Sequence, residues 1–203
     1  SQEQAEITKI LHNLTRRVKH NYTRFYFDQE LMSELDFIFA KARFGCELDC
    51  VKPDVNETGI LELKQARHPL IDQDKIIPND IIIDGKMLMI TGSNTGGKTV
   101  ALKTAGLLSL MAISGLAVPA ISASIPFFDA VYTDIGDEQS IEQSLSTYSS
   151  HMKKTIFILK NATCRSLILI DEIGSGTDPQ EGACLGEAIL DTLLNRDCRI
   201  IAS

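Results

Sequence analysis

The fold is decided by the stretch Gly92-Ser93-Asn94-Thr95-Gly96-Gly97-Lys98-Thr99, which matches the pattern G-x-x-x-x-G-K-[ST] of a phosphate-binding loop. The apolar run Met87 to Ile90 before it predicts a strand, and Val100 to Met111 after it predicts a helix. The pattern requires a strand before it and a helix after it. This context therefore favours a nucleotide-binding loop over a chance glycine-rich turn.

Each residue type in the loop has a chemical reason to be there. Glycines let the backbone wrap closely around phosphate oxygens, so that successive N–H groups and the helix N-terminus point at negative charge. Lys98 is expected to reach the β- and γ-phosphates, and the Thr99 hydroxyl is expected to bind Mg²⁺. The loop predicts ATP and Mg²⁺ as cofactors.

A second motif lies downstream, where the apolar run Leu167 to Ile170 ends in Asp171 and Glu172. In a parallel sheet this strand end would lie beside the phosphate loop. Asp171 would then hold Mg²⁺ through its water shell, and Glu172 would polarise the attacking water. The pair favours ATP hydrolysis, although two acids after a strand also serve as simple helix caps.

The chain around these motifs predicts an α/β fold. Apolar strand-like runs alternate with helical stretches after Gly97, around Thr147 to Leu159 and after Pro179, which indicates a mainly parallel sheet covered by helices. We predict a P-loop NTPase domain of ABC-like type over residues 51–203. The strands are predicted at residues 60–63, 87–91, 128–132, 167–170 and 199–202.

Residues 1–50 predict a separate helical segment. Apolar residues recur at three- and four-residue steps from Ile7 to Val18 and again from Leu31 to Ala42. Between these stripes, basic residues alternate with aromatic ones from Arg16 to Phe27. That mixture suits nucleic-acid binding, but a helix with a solvated basic face and aromatic residues in the core is the favoured interpretation.

Composition bounds the remaining possibilities. The 203 residues carry a net charge of −7, and the acidic excess falls in the part that holds the nucleotide motifs. Proteins that bind DNA through their own surface usually present a basic face, so DNA contacts are expected mainly outside this chain. No run is as apolar as a membrane helix and no secretory signal opens the chain, which predicts a cytoplasmic protein without membrane contact.

Several motifs in order resemble the MutS family of ATPases: residues 67–69 (Arg-His-Pro), residues 90–99 with the phosphate loop, and residues 171–177. Residues 134–147 and 177–182 resemble the second bacterial MutS paralogue. That branch is associated with suppression of homologous recombination and with rescue of collided ribosomes. By this resemblance, residues 1–50 are the end of a lever helix segment leading into the ATPase domain.

The resemblance also implies a homodimer through the ATPase face. Ser146 and Thr147 would contact the partner's γ-phosphate in trans, although as an alternative they simply cap the helix that follows. Ile77 and Asn79 align with the family's adenine-contacting stretch. His68 would lie near it, with a structural role as the favoured interpretation. DNA or the ribosome would be bound through regions mostly outside this chain.

Two departures from the family pattern affect these expectations. Ser93 stands where the family usually has Pro, which alters the stiffness of the loop but leaves the cradle of amides possible. The chain also stops at Ser203, before the family's Thr-His-Tyr segment and its nuclease domain, so no nuclease activity is expected of it. The alternatives are another ABC- or SMC-type ATPase, although Leu145-Ser146 lacks the Leu-Ser-Gly-Gly signature, and a non-hydrolysing nucleotide-binding module.

Overall fold

The computed structural model describes residues 2–92, 97–136, 144–174 and 178–203, apart from the side chains of residues 144–148 and 150. The chain divides into two compact units, Ser1–Phe44 and Gly45–Ser203. This division lies a few residues before the boundary expected between residues 50 and 51. The extent of the ATPase domain stays a prediction.

The first unit is helical, as the apolar spacing predicted. It contains α1 (Gln2–His20) and most of α2 (Tyr22–Glu47). Neither helix buries a side chain, and the aromatic residues expected in a core are 52–64% exposed: Tyr22, Phe25, Tyr26 and Phe27. That expectation was wrong, because within residues 2–44 two consecutive helices supply no second layer to cover the aromatic rings.

The second unit alternates strands and helices along the chain. Its strands are β1 (Asp54–Asn56), β2 (Leu61–Ala66), β3 (Asn79–Ile83), β4 (Met87–Met89), β5 (Ser122–Pro126), β6 (Ala130–Asp134), β7 (Ser166–Ile170) and β8 (Arg199–Ala202). Its helices are α3 (Lys98–Ile113), α4 (Ser144–Asn161) and α5 (Pro179–Leu194). In the described part of the chain, no helix combines the length and the apolar character needed to cross a membrane.

One sheet carries both nucleotide motifs. Its strands lie in the order β4-β8-β7-β6, and every neighbouring pair is parallel. The mixed α/β architecture with a helix-covered parallel sheet is therefore confirmed. Strand β8 lies between β4, which precedes the predicted phosphate loop, and β7, which precedes Asp171. Because the three strands are parallel, β4 and β7 end at the same edge of the sheet.

Helices cover both faces of this parallel sheet. Side chains alternate across a strand, and in β7 Ile168 and Ile170 pack with Ile158 of α4 and with Ile189 and Leu193 of α5. Leu169 points to the opposite face, where a methyl group added at Gly106 of α3 would lie 2.4 Å from its Cδ1 atom. The strand is buried at every position, which explains its apolar run from Leu167 to Ile170.

A second sheet was not separated from the first by sequence reasoning. Its order is β1-β5-β2-β3, with β2 antiparallel to both neighbours and β1 parallel to β5. The predicted strand at residues 60–63 belongs to this mixed sheet and not to the parallel one. No helix lies between β2 and β3, so this pair does not need the crossover that parallel strands require.

Candidate active site

The predicted phosphate loop connects the end of β4 to the start of α3. Its residues Ser93, Asn94, Thr95 and Gly96 lie outside the described residues. Gly97 is the N-cap of α3. Its φ of 77° lies in the left-handed region, which residues with a side chain disfavour. Lys98 and Thr99 are thus the first residues of a 16-residue helix, where the N–H groups and helix dipole favour an anion.

The structure brings the two motifs into direct contact. Thr99 Oγ1 donates a hydrogen bond of 2.5 Å to Asp171 Oδ2, and Asp171 is 9% exposed. Although β8 separates β4 from β7, α3 crosses the sheet and packs on β7 through Gly106. The start of this helix therefore lies against the acidic end of β7.

The contacting oxygen atoms suit a nucleotide-bound Mg²⁺. Hydroxyl and carboxylate oxygens are hard ligands, and Mg²⁺ usually takes one or two protein groups together with phosphate oxygens and water. Across the described ranges, no group of three or more His, Cys, Asp or Glu residues could hold a metal. The Thr99 hydroxyl and the Asp171 carboxylate are two protein oxygen donors that the structure brings together here.

Glu172 has an unusual backbone conformation that Ser203 supports. Its φ of 52° lies in the left-handed region, which is uncommon for residues other than glycine and is often found at functional sites. The Glu172 N–H donates to Ser203 Oγ at 3.3 Å, and the Ile173 N–H donates to the Ser203 carbonyl oxygen at 3.2 Å. The orientation of the Glu172 backbone is therefore fixed by the end of the neighbouring strand.

Ser203 also contacts the second acid, and sequence reasoning did not find it. Its hydroxyl donates a hydrogen bond to Asp171 Oδ1, so one serine links the Asp171 carboxylate to the Glu172 amide. A signal was available, since Ser203 is a polar residue directly after an apolar strand, like Asp171. Recognising it requires knowing that β8 and β7 are neighbours, which the sequence pattern does not reveal.

We expect Gly174, just after the two acids, to tolerate no side chain. At φ 78°, a Cβ atom would lie 2.3 Å from the Gly182 carbonyl oxygen, which is a backbone atom and cannot rotate away. Gly174→Ala is expected to lower the free energy of unfolding by about 2–4 kcal/mol, because left-handed strain of about 1–2 kcal/mol adds to the overlap. Chemical denaturation of the variant and the wild type measures this loss.

Gly115→Ala is the matched control for this prediction. Gly115 has a similar φ of 74°, but an added Cβ atom would meet nothing within 4 Å. Its replacement should therefore cost only the backbone strain of about 1–2 kcal/mol. Equal losses in the two variants would show that the overlap with Gly182 is not a real constraint.

The residues expected to act on a partner's phosphate lie at the start of α4. Helix α4 begins at Ser144, so Ser146 and Thr147 fall in its first turn, where N–H groups lack helical partners. Their side chains lie outside the described residues. Contact in trans and simple capping therefore both stay predictions.

The expected adenine-contacting residues are placed near the start of β3. Ile77 is 78% exposed, and Asn79 is the first residue of the strand. The Asn79 side-chain amide donates to the Ile77 carbonyl oxygen at 3.0 Å, which holds this turn locally. Adenine contact by either residue stays a prediction.

His68 has a local structural role. Its Nδ1 accepts a hydrogen bond from the Leu70 N–H at 3.3 Å, and only the unprotonated nitrogen can do so. Partial burial, and then the nearby positive charge of Lys103, hold the pKa of His68 below its ordinary value of 6.5. His68 is thus neutral at pH 7 and serves as an acceptor in the turn after β2.

Comparison with known proteins adds evidence of a different kind. Residues 88–203 match the family model described as MutS domain V. Three proteins named Endonuclease MutS2 align over 99% of this chain: 53% identical in Caldanaerobacter subterraneus subsp. tengcongensis, 52% in Geobacillus sp. WCH70 and 50% in Clostridium perfringens SM101. The chain spans about a quarter of these relatives, covering 26% of each.

Proposed function

The chain belongs to the MutS family, in its MutS2 branch, and from that premise we propose that it forms the nucleotide site of an ATP-driven switch. Mg²⁺-ATP binds at the phosphate loop and is hydrolysed there, with Glu172 as the general base. The fold is that of a P-loop ATPase domain. Residues 1–50 act as the end of a lever that follows the nucleotide state.

One observation carries the proposal: the 2.5 Å hydrogen bond between Thr99 Oγ1 and Asp171 Oδ2. It joins the last residue of the phosphate loop to the acidic strand end, although 71 residues separate them in the sequence. A structural turn and an unrelated helix cap would have no reason to meet in this way. A phosphate-binding loop and a carboxylate that holds the metal of the same nucleotide are expected to be in contact.

The residues at this junction have distinct chemical roles. Lys98 binds the β- and γ-phosphates, and Thr99 and Asp171 hold Mg²⁺, Asp171 through the water shell. Bound Mg²⁺ supplies neutralisation of the charge that develops on the phosphate oxygens. Glu172 accepts a proton from the attacking water. Ser203 accepts a hydrogen bond from the Glu172 N–H and donates one to the Asp171 carboxylate, and so holds the two acids in register.

We further propose that the active unit is a homodimer joined at the ATPase face. Ser146 and Thr147 in the first turn of α4 contact the γ-phosphate held by the partner, so that turnover depends on dimerisation. Ile77 and Asn79 contact the adenine. The switch then opens or closes as nucleotide binds and leaves.

The macromolecule acted on by the whole protein is proposed to be DNA. The relatives carry the name Endonuclease MutS2, which favours a nucleic-acid substrate. From the resemblance to this branch, we propose that the substrate is DNA and that the process is the suppression of homologous recombination. The chain has a net charge of −7, so we place the DNA contacts mainly in other parts of the protein. Collided ribosomes remain the alternative substrate of this branch.

A mixing experiment tests both the chemistry and the dimer. In the native protein, Lys98→Ala and Ser146→Ala are each expected to lose ATP hydrolysis. An equal mixture pairs an intact loop on one subunit with an intact Ser146 on the other. Half of the randomly formed dimers contain one subunit of each variant, and each such dimer has one complete site out of its two sites. The mixture should therefore recover about a quarter of the wild-type rate.

The outcomes of the mixing experiment separate the parts of the proposal. Recovery in the mixture supports hydrolysis with Ser146 acting in trans. No recovery, although the wild type hydrolyses ATP, would show that Ser146 acts within its own subunit. No hydrolysis by the wild type would contradict the ATPase itself and favour a passive nucleotide-binding module.

A further inference from the structure

A buried carboxylate outside the phosphate loop and the Asp171-Glu172 pair holds helix α4. Asp134 ends β6 and is 4% exposed. His151 Nδ1 lies 2.7 Å from Asp134 Oδ1, Thr155 Oγ1 donates to Asp134 Oδ2 at 3.3 Å, and Lys154 Nζ lies 3.8 Å from Oδ1. These three residues are spaced by three and four along α4, so they share one face of the helix.

The same aspartate is bonded to the acidic strand end through its backbone. Its carbonyl oxygen accepts the Asp171 N–H at 2.9 Å, and in the register of β6 and β7 it pairs with Ile170. Asp134 therefore holds α4 with its side chain and the predicted Mg²⁺ ligand with its main chain. A shift of α4 relative to β6 would therefore be transmitted to Asp171 through Asp134.

The imidazole of His151 also lines the cavity that contains the proposed general base. This small cavity is bounded by His151 and Thr155 on α4, by Asp134, and by Asp171 and Glu172 after β7. His151 and Glu172 thus line the same small pocket. Packing of α4 on the sheet does not by itself require His151 to line the same pocket as the proposed general base.

The position of His151 along α4 gives the contact a further consequence. His151 follows Thr147 by four residues, about one helical turn, so fixing its ring fixes the first turn of the helix. That turn contains Ser146 and Thr147, the residues proposed to meet the partner's γ-phosphate. The contact between His151 and Asp134 therefore lies between the start of α4, which is proposed to act on the partner's nucleotide, and the end of β7, which is proposed to act on the nucleotide of its own subunit.

We propose that His151 is a positioning residue for ATP hydrolysis, acting through Asp134. Its Nδ1–H donates to the Asp134 carboxylate and so holds the start of α4 in register with the strand end that carries Asp171 and Glu172. The inference rests on the proposed ATPase function. It predicts an effect of His151 on the chemical step, with little effect on nucleotide binding, because Lys98 and the phosphate loop are untouched.

The test compares substitutions that keep or move the donor, measured in the native protein with Mg²⁺-ATP. His151→Asn places an amide N–H close to the position of Nδ1, whereas His151→Gln places it one carbon further out. We expect His151→Gln to lower kcat by about 10- to 100-fold, because small misplacements within a catalytic site have effects of that size. The asparagine variant should stay within about fivefold of the wild type, since its N–H still reaches Asp134.

Two further measurements make the result specific. KM for ATP should change less than about threefold in both variants, since the binding interactions remain. Lys153→Ala is the matched control, because it removes a positive charge from an exposed neighbouring position on α4 outside the group around Asp134, and it should leave kcat near the wild-type value. Thermal melting of each protein ensures that rates are compared between folded variants.

The possible outcomes decide the matter. A loss of kcat in the glutamine variant with retention in the asparagine variant supports positioning by His151. Equal rates in the two variants, both retained or both lost, would overturn it. Failure of the proposed function would be seen separately, in the wild type. The wild type would then show either no ATP hydrolysis or hydrolysis that Glu172→Gln does not abolish.

Discussion

Glu172→Gln is expected to lower kcat for ATP hydrolysis by about 10²- to 10⁴-fold, the usual contribution of a general base. Glutamine has nearly the shape of glutamate but cannot accept the proton of the attacking water. The backbone bonds to Ser203 do not depend on the side chain, so the local structure should persist. ATP binding should remain, and the ATP-bound dimer should last longer.

Steady-state hydrolysis and light scattering with Mg²⁺-ATP measure the two parts of this prediction. Glu187→Gln is the control, because it removes the same charge from an exposed position on α5. It should hydrolyse ATP at the wild-type rate. If Glu172→Gln kept more than about a tenth of the wild-type kcat, Glu172 would not be the general base.

Lys98→Ala is expected to weaken ATP binding by at least about 30-fold, which corresponds to about 2 kcal/mol or more. Lys98 is the first residue of α3, where an ammonium group adds to the positive end of the helix dipole at the phosphates. Its loss removes charge-assisted hydrogen bonds that alanine cannot replace. Calorimetric titration with Mg²⁺-ATP measures the change.

Lys103→Ala serves as the matched control for that loss. It removes one positive charge from the same helix, further from the N-terminus. Its effect should be a rise in the pKa of His68, because the Lys103 charge is one of the two causes that lower it. Similar losses of affinity in both variants would indicate a general effect of charge rather than a phosphate contact by Lys98.

The parallel sheet was predictable because its signals are local. Strand β7 is apolar from Leu167 to Ile170, which is typical of a strand buried on both faces, and α3 begins directly after Gly97 of the predicted phosphate loop. The contact between Thr99 and Asp171 agrees with the expectation that parallel strands bring their carboxyl ends together. These features depend on the period and order of residues along the chain.

The second sheet and the supporting residues were not predictable in the same way. Strands β1, β3 and β5 are short and carry polar residues such as Asp54, Asp80 and Ser122, so their pattern is weak. Ser203 and Asp134 acquire their roles only from the strand order, which places both beside β7. Pairing between strands distant in sequence is set by packing and not by local propensity.

The aromatic residues of α2 show the opposite limitation. Apolar spacing predicted the helices correctly, but it could not tell whether a partner layer covers them. Within residues 2–44, the residues Tyr22 and Phe27 are more than 60% exposed. Helical period reports which residues share a face, whereas burial depends on what else packs there.

Calorimetric titration of the wild-type native protein with ATP, with and without Mg²⁺, tests the central claim most directly. A nucleotide site built from Lys98, Thr99 and Asp171 predicts saturable binding of one ATP per chain that weakens when Mg²⁺ is removed. Absence of binding under both conditions would contradict the assignment of residues 92–99 as a phosphate loop. Binding that is indifferent to Mg²⁺ would contradict the role given to Thr99 and Asp171.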